Sequence, residues 1–273
     1  MLVPFLIMLR EGVEAALIVG IIASYLKQSG RGHWMPAVWI GVFLAAALAL
    51  FVGAGLELLD AQFPQKQQEF FEAVVGLVAT GILTSMIFWM RKVARSIKGE
   101  LHSALDAALG SSHQAYALIG MVFFAVAREG LETVFFLLAI FQQSEGLGAP
   151  IGALLGLALA VALGYGIYRG GVRLNLSAFF RWTGLFILVV AAGLLTNAVR
   201  SLHEAGVWNA LQTPLWDSSA SLPESGALGS LLAGMFGYQE SPTVSTFGAW
   251  LIYLVITLVL FFLPPRQAAR SPA

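Results

Sequence analysis

Two short segments hold the residues of this chain best placed to do chemistry: Arg10-Glu11-Gly12-Val13-Glu14 and Arg128-Glu129-Gly130-Leu131-Glu132. Both read Arg-Glu-x-x-Glu. In a helix, residues three apart share a face, so Glu11 and Glu14 point one way, as do Glu129 and Glu132. Four carboxylates offer hard oxygen ligands suited to Mn, Mg, Ca and iron ions. Neither segment contains His or Met and the whole chain lacks Cys. That disfavours copper and excludes disulfides, iron–sulfur clusters and thiolate zinc. Four Glu cannot all ionise side by side without compensation. Arg10 and Arg128 reduce the formal charge from −4 to −2, which one divalent cation neutralises. Protonation of some of these Glu in the empty site would couple metal binding to proton release. The plain alternative is that each Arg only pairs with its neighbouring Glu to hold helices together.

Both segments lie inside long apolar runs, where a charged residue at a bilayer centre costs roughly 2.5–3.5 kcal/mol on insertion scales. The chain has 273 residues, of which 58% are hydrophobic and 11% charged, against about 25% charged in soluble proteins. It therefore reads as an all-α polytopic membrane protein. Acidic and basic residues balance at 15 each, which gives no sign of a nucleic-acid partner. The first apolar run has no basic stretch before it and itself contains Arg10, Glu11 and Glu14. It reads as a resident first helix, not as a cleaved signal peptide.

A bilayer core about 30 Å thick needs about 20 helical residues. Seven runs qualify: residues 2–26, 37–59, 70–90, 115–141, 150–168, 178–199 and 247–263. Trp34, Trp39, Trp89, Trp182 and Trp250 stand near their ends as interfacial anchors. Lys27, Arg31, Arg91, Lys92, Arg95, Lys98, Arg169, Arg173, Arg181, Arg266 and Arg270 all fall on one side of this arrangement. Outside the spans, only Lys66 and Arg200 fall on the other. The positive-inside rule then places the N-terminus outside and the C-terminus in the cytoplasm. Within the connection 91–113, Ala94, Ile97, Leu101, Leu105 and Ala108 have the spacing of an amphipathic helix at the cytoplasmic surface. The outer connection 201–245 carries His203, Glu204, Asp217, Glu224 and Glu240 and no basic residue. It reads first as a solvated loop and second as a surface that attracts cations. His203-Glu204 is a weak candidate for an outer contact, whereas His33, His102 and His113 read as surface residues.

The two segments are 118 residues apart. At an offset of 111, Ile40, Gly41, Leu44, Ala47, Leu48, Ala49, Gly53 and Gly55 fall on Ile151, Gly152, Leu155, Ala158, Leu159, Ala160, Gly164 and Gly166. The glycine pairs carry most of the weight. Spans one to three (1–90) thus read as duplicated in spans four to six (115–200), with an outer loop at 201–245 and a seventh helix at 246–263. Three is odd, so the copies have inverted topology, as in many transporters whose substrate site lies at mid-membrane. A third Glu-x-x-Glu, Glu69 and Glu72, sits at the outer start of the third span. It reads either as an outer receiving site for a cation or as helix-start acids that complement the dipole. Glu57 and Asp60 end the second span on the same side and make the outer mouth acidic.

The paired Arg-Glu-x-x-Glu segments in the first and fourth of seven spans resemble the oxidase-dependent iron transporter family. Glu69-Phe70-Phe71-Glu72 and Ile87-Phe88-Trp89-Met90 resemble its bacterial, EfeU-type branch. The resemblance implies high-affinity iron uptake across the bacterial inner membrane, as Fe²⁺ or Fe³⁺. It implies Glu11, Glu14, Glu129 and Glu132 as iron ligands, with Arg10 and Arg128 as essential partners. Iron is then substrate, with no permanently bound cofactor. The implied partners are periplasmic EfeO- and EfeB-type proteins or an iron oxidase. From the ligand set alone, a Mn²⁺ or other hard divalent cation transporter fits equally. A Glu-dependent intramembrane enzyme fits less well, because a metalloprotease needs His at mid-membrane and all four His lie outside the spans. The chain reads as a transporter and not an enzyme. Topology reporters fused after Leu26 and after Phe141 are expected on opposite sides of the membrane; the same side for both would end the inverted-repeat reading.

Overall fold

The computed structural model describes residues 1–60, 64–93, 97–142, 146–169 and 175–263. Among these residues the regular elements are helices: α1 (Leu2–Gln28), α2 (Met35–Asp60), α3 (Gln65–Val93), α4 (Ile97–Leu109), α5 (Gln114–Phe141), α6 (Gly148–Tyr168), α7 (Leu176–Glu204), α8 (Ala227–Phe236) and α9 (Val244–Phe262). Each of the seven apolar runs falls on its own long helix, α1–α3, α5–α7 or α9. Five of these, α2, α3, α6, α7 and α9, are long and apolar enough by composition to cross a membrane. The other two, α1 and α5, carry the Arg-Glu-x-x-Glu segments, and those charges interrupt their apolar character. Along α2, Trp39, Phe43, Leu50 and Phe51 face outward, with Phe51 78% exposed. Such a surface is an aggregation hazard in water and an ordinary one in lipid. The chain is an all-helical multi-pass membrane protein.

The long helices pack in pairs: α1 on α6, α2 on α5, α3 on α7, and α9 on α7. Lipid tails are as apolar as Leu, so close packing of small residues must replace the hydrophobic drive between helices. The contacts have that character. A Cβ built on Gly12 of α1 would stand 2.6 Å from the Ala160 Cβ of α6. One built on Gly130 of α5 would stand 3.1 Å from the Ala49 Cβ of α2. Gly41 meets Ile119 and Val122, and Gly53 meets Val134, so α2 and α5 run parallel. Gly152 meets Met1, and Gly164 meets Ala16, so α1 and α6 also run parallel. Gly76 meets Ala198 while Gly184 meets Ile87, so α3 and α7 run antiparallel. Helices α1 and α5 cross antiparallel: Val3 and Ile7 share a core with Phe136 and Ile140, and Ile22 and Leu26 share another with Leu118 and Val122.

Helix α4 takes the amphipathic form that its spacing requires, but its apolar face is turned onto protein. Leu105 and Leu109 close the core formed by the end of α1 and the start of α5, and the Tyr25 hydroxyl donates to Asp106. Ala94 lies outside the described residues.

The connection 201–245 is exposed over residues 206–217, as the solvated-loop reading expects, and folded against the bundle elsewhere. Residues 201–204 finish α7, and α8 folds back against it. A Cβ on Gly193 would come within 2.7 Å of the Gly237 nitrogen, so α8 ends backbone-to-backbone on α7. Gly237 turns the chain there with φ +68°, a left-handed conformation that glycine adopts without a Cβ penalty. The Trp250 Nε1–H of α9 donates to the Phe236 carbonyl at 2.9 Å. Gly193 lies about 16 Å along the helix from the end of α7, so α8 reaches well down into the bundle.

Close helix approach makes a direct prediction. Gly41→Leu should destabilise the detergent-solubilised protein by about 1–3 kcal/mol, because the Ile119 carbonyl and Val122 lie within 3 Å of the added Cβ. Gly20→Leu, where no neighbour lies within 4 Å, should leave thermal stability unchanged.

Candidate metal site

The site is built where α1 and α5 cross. Each Glu pair lies along one helix face by its i, i+3 spacing. Gly12 and Gly130 let α6 and α2 close on the backs of these helices, which leaves the carboxylate faces turned toward the crossing. Ligand oxygens of Glu11, Glu14 and Glu129 all lie within 4.8 Å of one another, and all three residues are buried. A hard cation bound at roughly 2.0–2.6 Å by oxygen spans about 4–5 Å between ligands on opposite sides, so the three carboxylates stand at the spacing of one ion.

Glu132, the fourth carboxylate, is turned elsewhere. Its Oε1 accepts from the Arg128 Nε–H at 3.0 Å. Thus the spacing placed all four near one another, while the structure brings three within ligand reach and holds the fourth on its arginine.

The two arginines differ although their local sequence is the same. The Arg10 side chain is 1% exposed, with Nε 3.2 Å from Glu14 Oε1 and Nη1 3.7 Å from Glu11 Oε1. These contacts lack hydrogen-bond alignment, and Arg10 Nε and Nη1, both Glu11 oxygens and Glu14 Oε1 are buried without a hydrogen-bond partner. Glu129 Oε2 and Glu132 Oε2 share that state. The Arg128 side chain is 46% exposed, and its guanidinium lies 4.3 Å from the centroid of the Trp89 ring on α3. Trp89 read as an interfacial anchor in the sequence; here it is a cation–π partner of the second arginine. Buried polar groups are nearly always hydrogen-bonded, and a cluster that is not calls for a ligand or a functional reason. Simple Arg–Glu pairing leaves these oxygens unsatisfied and does not explain them.

The other candidates are not members of this group of carboxylates. Glu69 and Glu72 are half-buried on α3. Because α3 starts at Gln65, both lie beyond its first turn, where the helix dipole no longer rewards an acid. Glu57 is exposed near the C-terminal end of α2. His203 hydrogen-bonds Ser245 through Nε2 at 3.1 Å. Glu204 pairs with Arg200 at 3.0 Å, and Arg200 also reaches Glu224 at 3.5 Å. Glu224 and Glu240 each accept from the other's backbone N–H at 2.9 Å. These residues tie the connection between α7 and α9 to those helices.

Comparison with known proteins adds what geometry does not. Residues 1–271 match the Iron permease FTR1 family. The chain is 58% identical over 272 residues to a protein named ferrous iron permease EfeU from Yersinia pestis, covering 99% of this chain and 96% of that one. It is likewise 58% identical over 272 residues to the protein of the same name from Escherichia coli O157:H7, covering 99% of each. No solved structure matches the chain.

The contrast between the arginines is testable without any metal. Arg10→Met strands buried carboxylates and should cost about 3–5 kcal/mol. Arg128→Met, at a half-exposed site, should cost less than half as much; both are read by unfolding in detergent.

Proposed function

The chain belongs to the Iron permease FTR1 family, and on that footing we propose that it carries ferrous iron through a mid-membrane site built by Glu11, Glu14, Glu129 and Glu132. The observation that carries the reading is the group of three buried carboxylates within 4.8 Å, with unpaired oxygens and Glu132 within reach of the same field. Hard oxygen ligands suit iron. The formal charge of −2 left by the two arginines matches one divalent ion, and relatives of this similarity are named ferrous iron permeases. Arg10 and Arg128 hold Glu14 and Glu132 in place and keep the empty site from accumulating repulsion. An arriving cation replaces the missing hydrogen bonds with metal–oxygen contacts, and reprotonation of the carboxylates offers a way to let it go.

The frame of this reading is seven spans, with α1–α3 repeated in inverted topology as α5–α7, and α9 outside the repeat. The glycine contacts support it. Gly12 on Ala160 and Gly130 on Ala49 are equivalent pairs at the offsets 118 and 111. So are Gly41 on Ile119 and Gly152 on Met1, and Gly53 on Val134 and Gly164 on Ala16. Each helix of one half runs antiparallel to its counterpart, which is the relation that an axis in the membrane plane produces. The distribution of basic residues supports an N-terminus outside and a C-terminus in the cytoplasm, and a permease in the cytoplasmic membrane fits this reading. Partners of the EfeO and EfeB type would then act on the outer side.

Proteoliposome uptake of radioactive iron, with Fe²⁺ and Fe³⁺ offered separately and Mn²⁺ as competitor, tests the proposal. Fe²⁺ should be carried in preference to Fe³⁺. Glu11→Gln, Glu14→Gln, Glu129→Gln and Glu132→Gln should each lower uptake about tenfold or more at normal expression. Unchanged uptake in all four sinks the site, and equal competition by Mn²⁺ makes the chain a general divalent carrier.

A further inference from the structure

A cavity of about 740 Å³ lies between α1 and α6 on one side and α2 and α5 on the other. Glu11 and Glu129 line its inner end, and Glu57 and Phe141 its outer end. Glu129 and Phe141 lie about 18 Å apart along α5, so the cavity runs from the buried carboxylates to the outer end of the bundle. Its wall on α2 is two adjacent rows, Ala45, Ala49, Gly53 and Glu57 beside Ala46, Leu50 and Ala54, with Leu50 at the outward edge. Three small residues keep the first row open, and its fourth sets a carboxylate at the mouth.

Both oxygens of Glu11 and one of Glu129 are buried and unpaired, so the inner end presents ligand atoms that the protein itself does not satisfy. The wall between the two ends is apolar apart from Thr133, whose hydroxyl is engaged in donating to the Glu129 carbonyl at 2.8 Å. Conduction needs sites that attract an ion joined by stretches that do not retain it. The other half of the repeat lacks this arrangement. At the offset of 111, Ala46, Ala54 and Glu57 correspond to Leu157, Tyr165 and Tyr168, which are bulkier and uncharged. The carboxylate-ended path therefore belongs to the outer half alone.

We propose that this cavity is the water-filled outer access path of the transported cation, and that Glu57 is its capture residue, handing the ion to Glu11 and Glu129. The proposal rests on the iron-permease reading and adds to it a route, a direction and a residue. The capture effect is electrostatic: one carboxylate raises the local concentration of a divalent cation and weakens as salt screens it.

The chain has no cysteine, so single-cysteine variants report access without background. In right-side-out vesicles, a charged, membrane-impermeant methanethiosulfonate should modify Ala54→Cys and Leu137→Cys, which line the cavity. It should also modify Val207→Cys on the exposed outer segment, and spare Phe51→Cys on the outward face of α2. Modification of Val207→Cys with neither Ala54→Cys nor Leu137→Cys reacting overturns the path and assigns the cavity to lipid. This labelling needs no iron, so it stands or falls separately from the transported species; absent iron uptake by the unmodified protein would instead refute the permease reading. Glu57→Gln should raise the half-saturating Fe²⁺ concentration about three- to tenfold with maximal uptake retained and the effect shrinking in high salt. An unchanged half-saturation overturns the role of Glu57.

Discussion

An arginine and two glutamates buried together in an apolar helix dominate the structure of this protein. Charges in such surroundings are costly, and attraction between partners offsets that cost only where geometry is good and the remaining polar atoms are satisfied. Around Arg10 they are not satisfied: its contacts with Glu11 and Glu14 are misaligned, and several atoms of all three residues have no hydrogen bond. A bundle selected for stability alone would fill this space with Leu. The arrangement fits a site whose groups are completed by a passing ion, and that fits membership of an iron permease family.

Packing follows from the need to hold such a site. Small residues back the two charged helices, so α6 and α2 close to backbone distance at Gly12 and Gly130. That support leaves the carboxylate faces free to meet at the α1–α5 crossing. The same contacts set the helix directions, and so they couple the site to the relation between the two halves. The second arginine is not a copy of the first. The Arg128 guanidinium lies over the Trp89 ring, Glu132 is bonded to that arginine, and three carboxylates are grouped at ligand distance.

Much of this was legible in the sequence, for physical reasons. The seven apolar runs stand out because a bilayer sets a minimum length, and i, i+3 spacing fixes which carboxylates share a face. Helix ends were less legible: α3 begins at Gln65 and α7 continues to Glu204, because helices extend beyond the apolar stretch that marks them. The docking of α8 was not readable, since it depends on two glycine backbones meeting between Gly193 and Gly237, a contact without local signature. Nor was the turn of Glu132 toward Arg128, because identical local spacing in the two segments gives no hint that a tryptophan from a third helix distinguishes them.

A mid-membrane site of Glu11, Glu14, Glu129 and Glu132, the first three grouped at ligand distance, is proposed to bind the transported iron. Iron-edge X-ray absorption on purified, Fe²⁺-loaded protein measures it most directly. A first shell of light oxygen-type ligands without sulfur is expected, lost when Glu11, Glu14 and Glu129 are replaced together by Gln. Iron bound with the same spectrum and stoichiometry in that triple variant would contradict it.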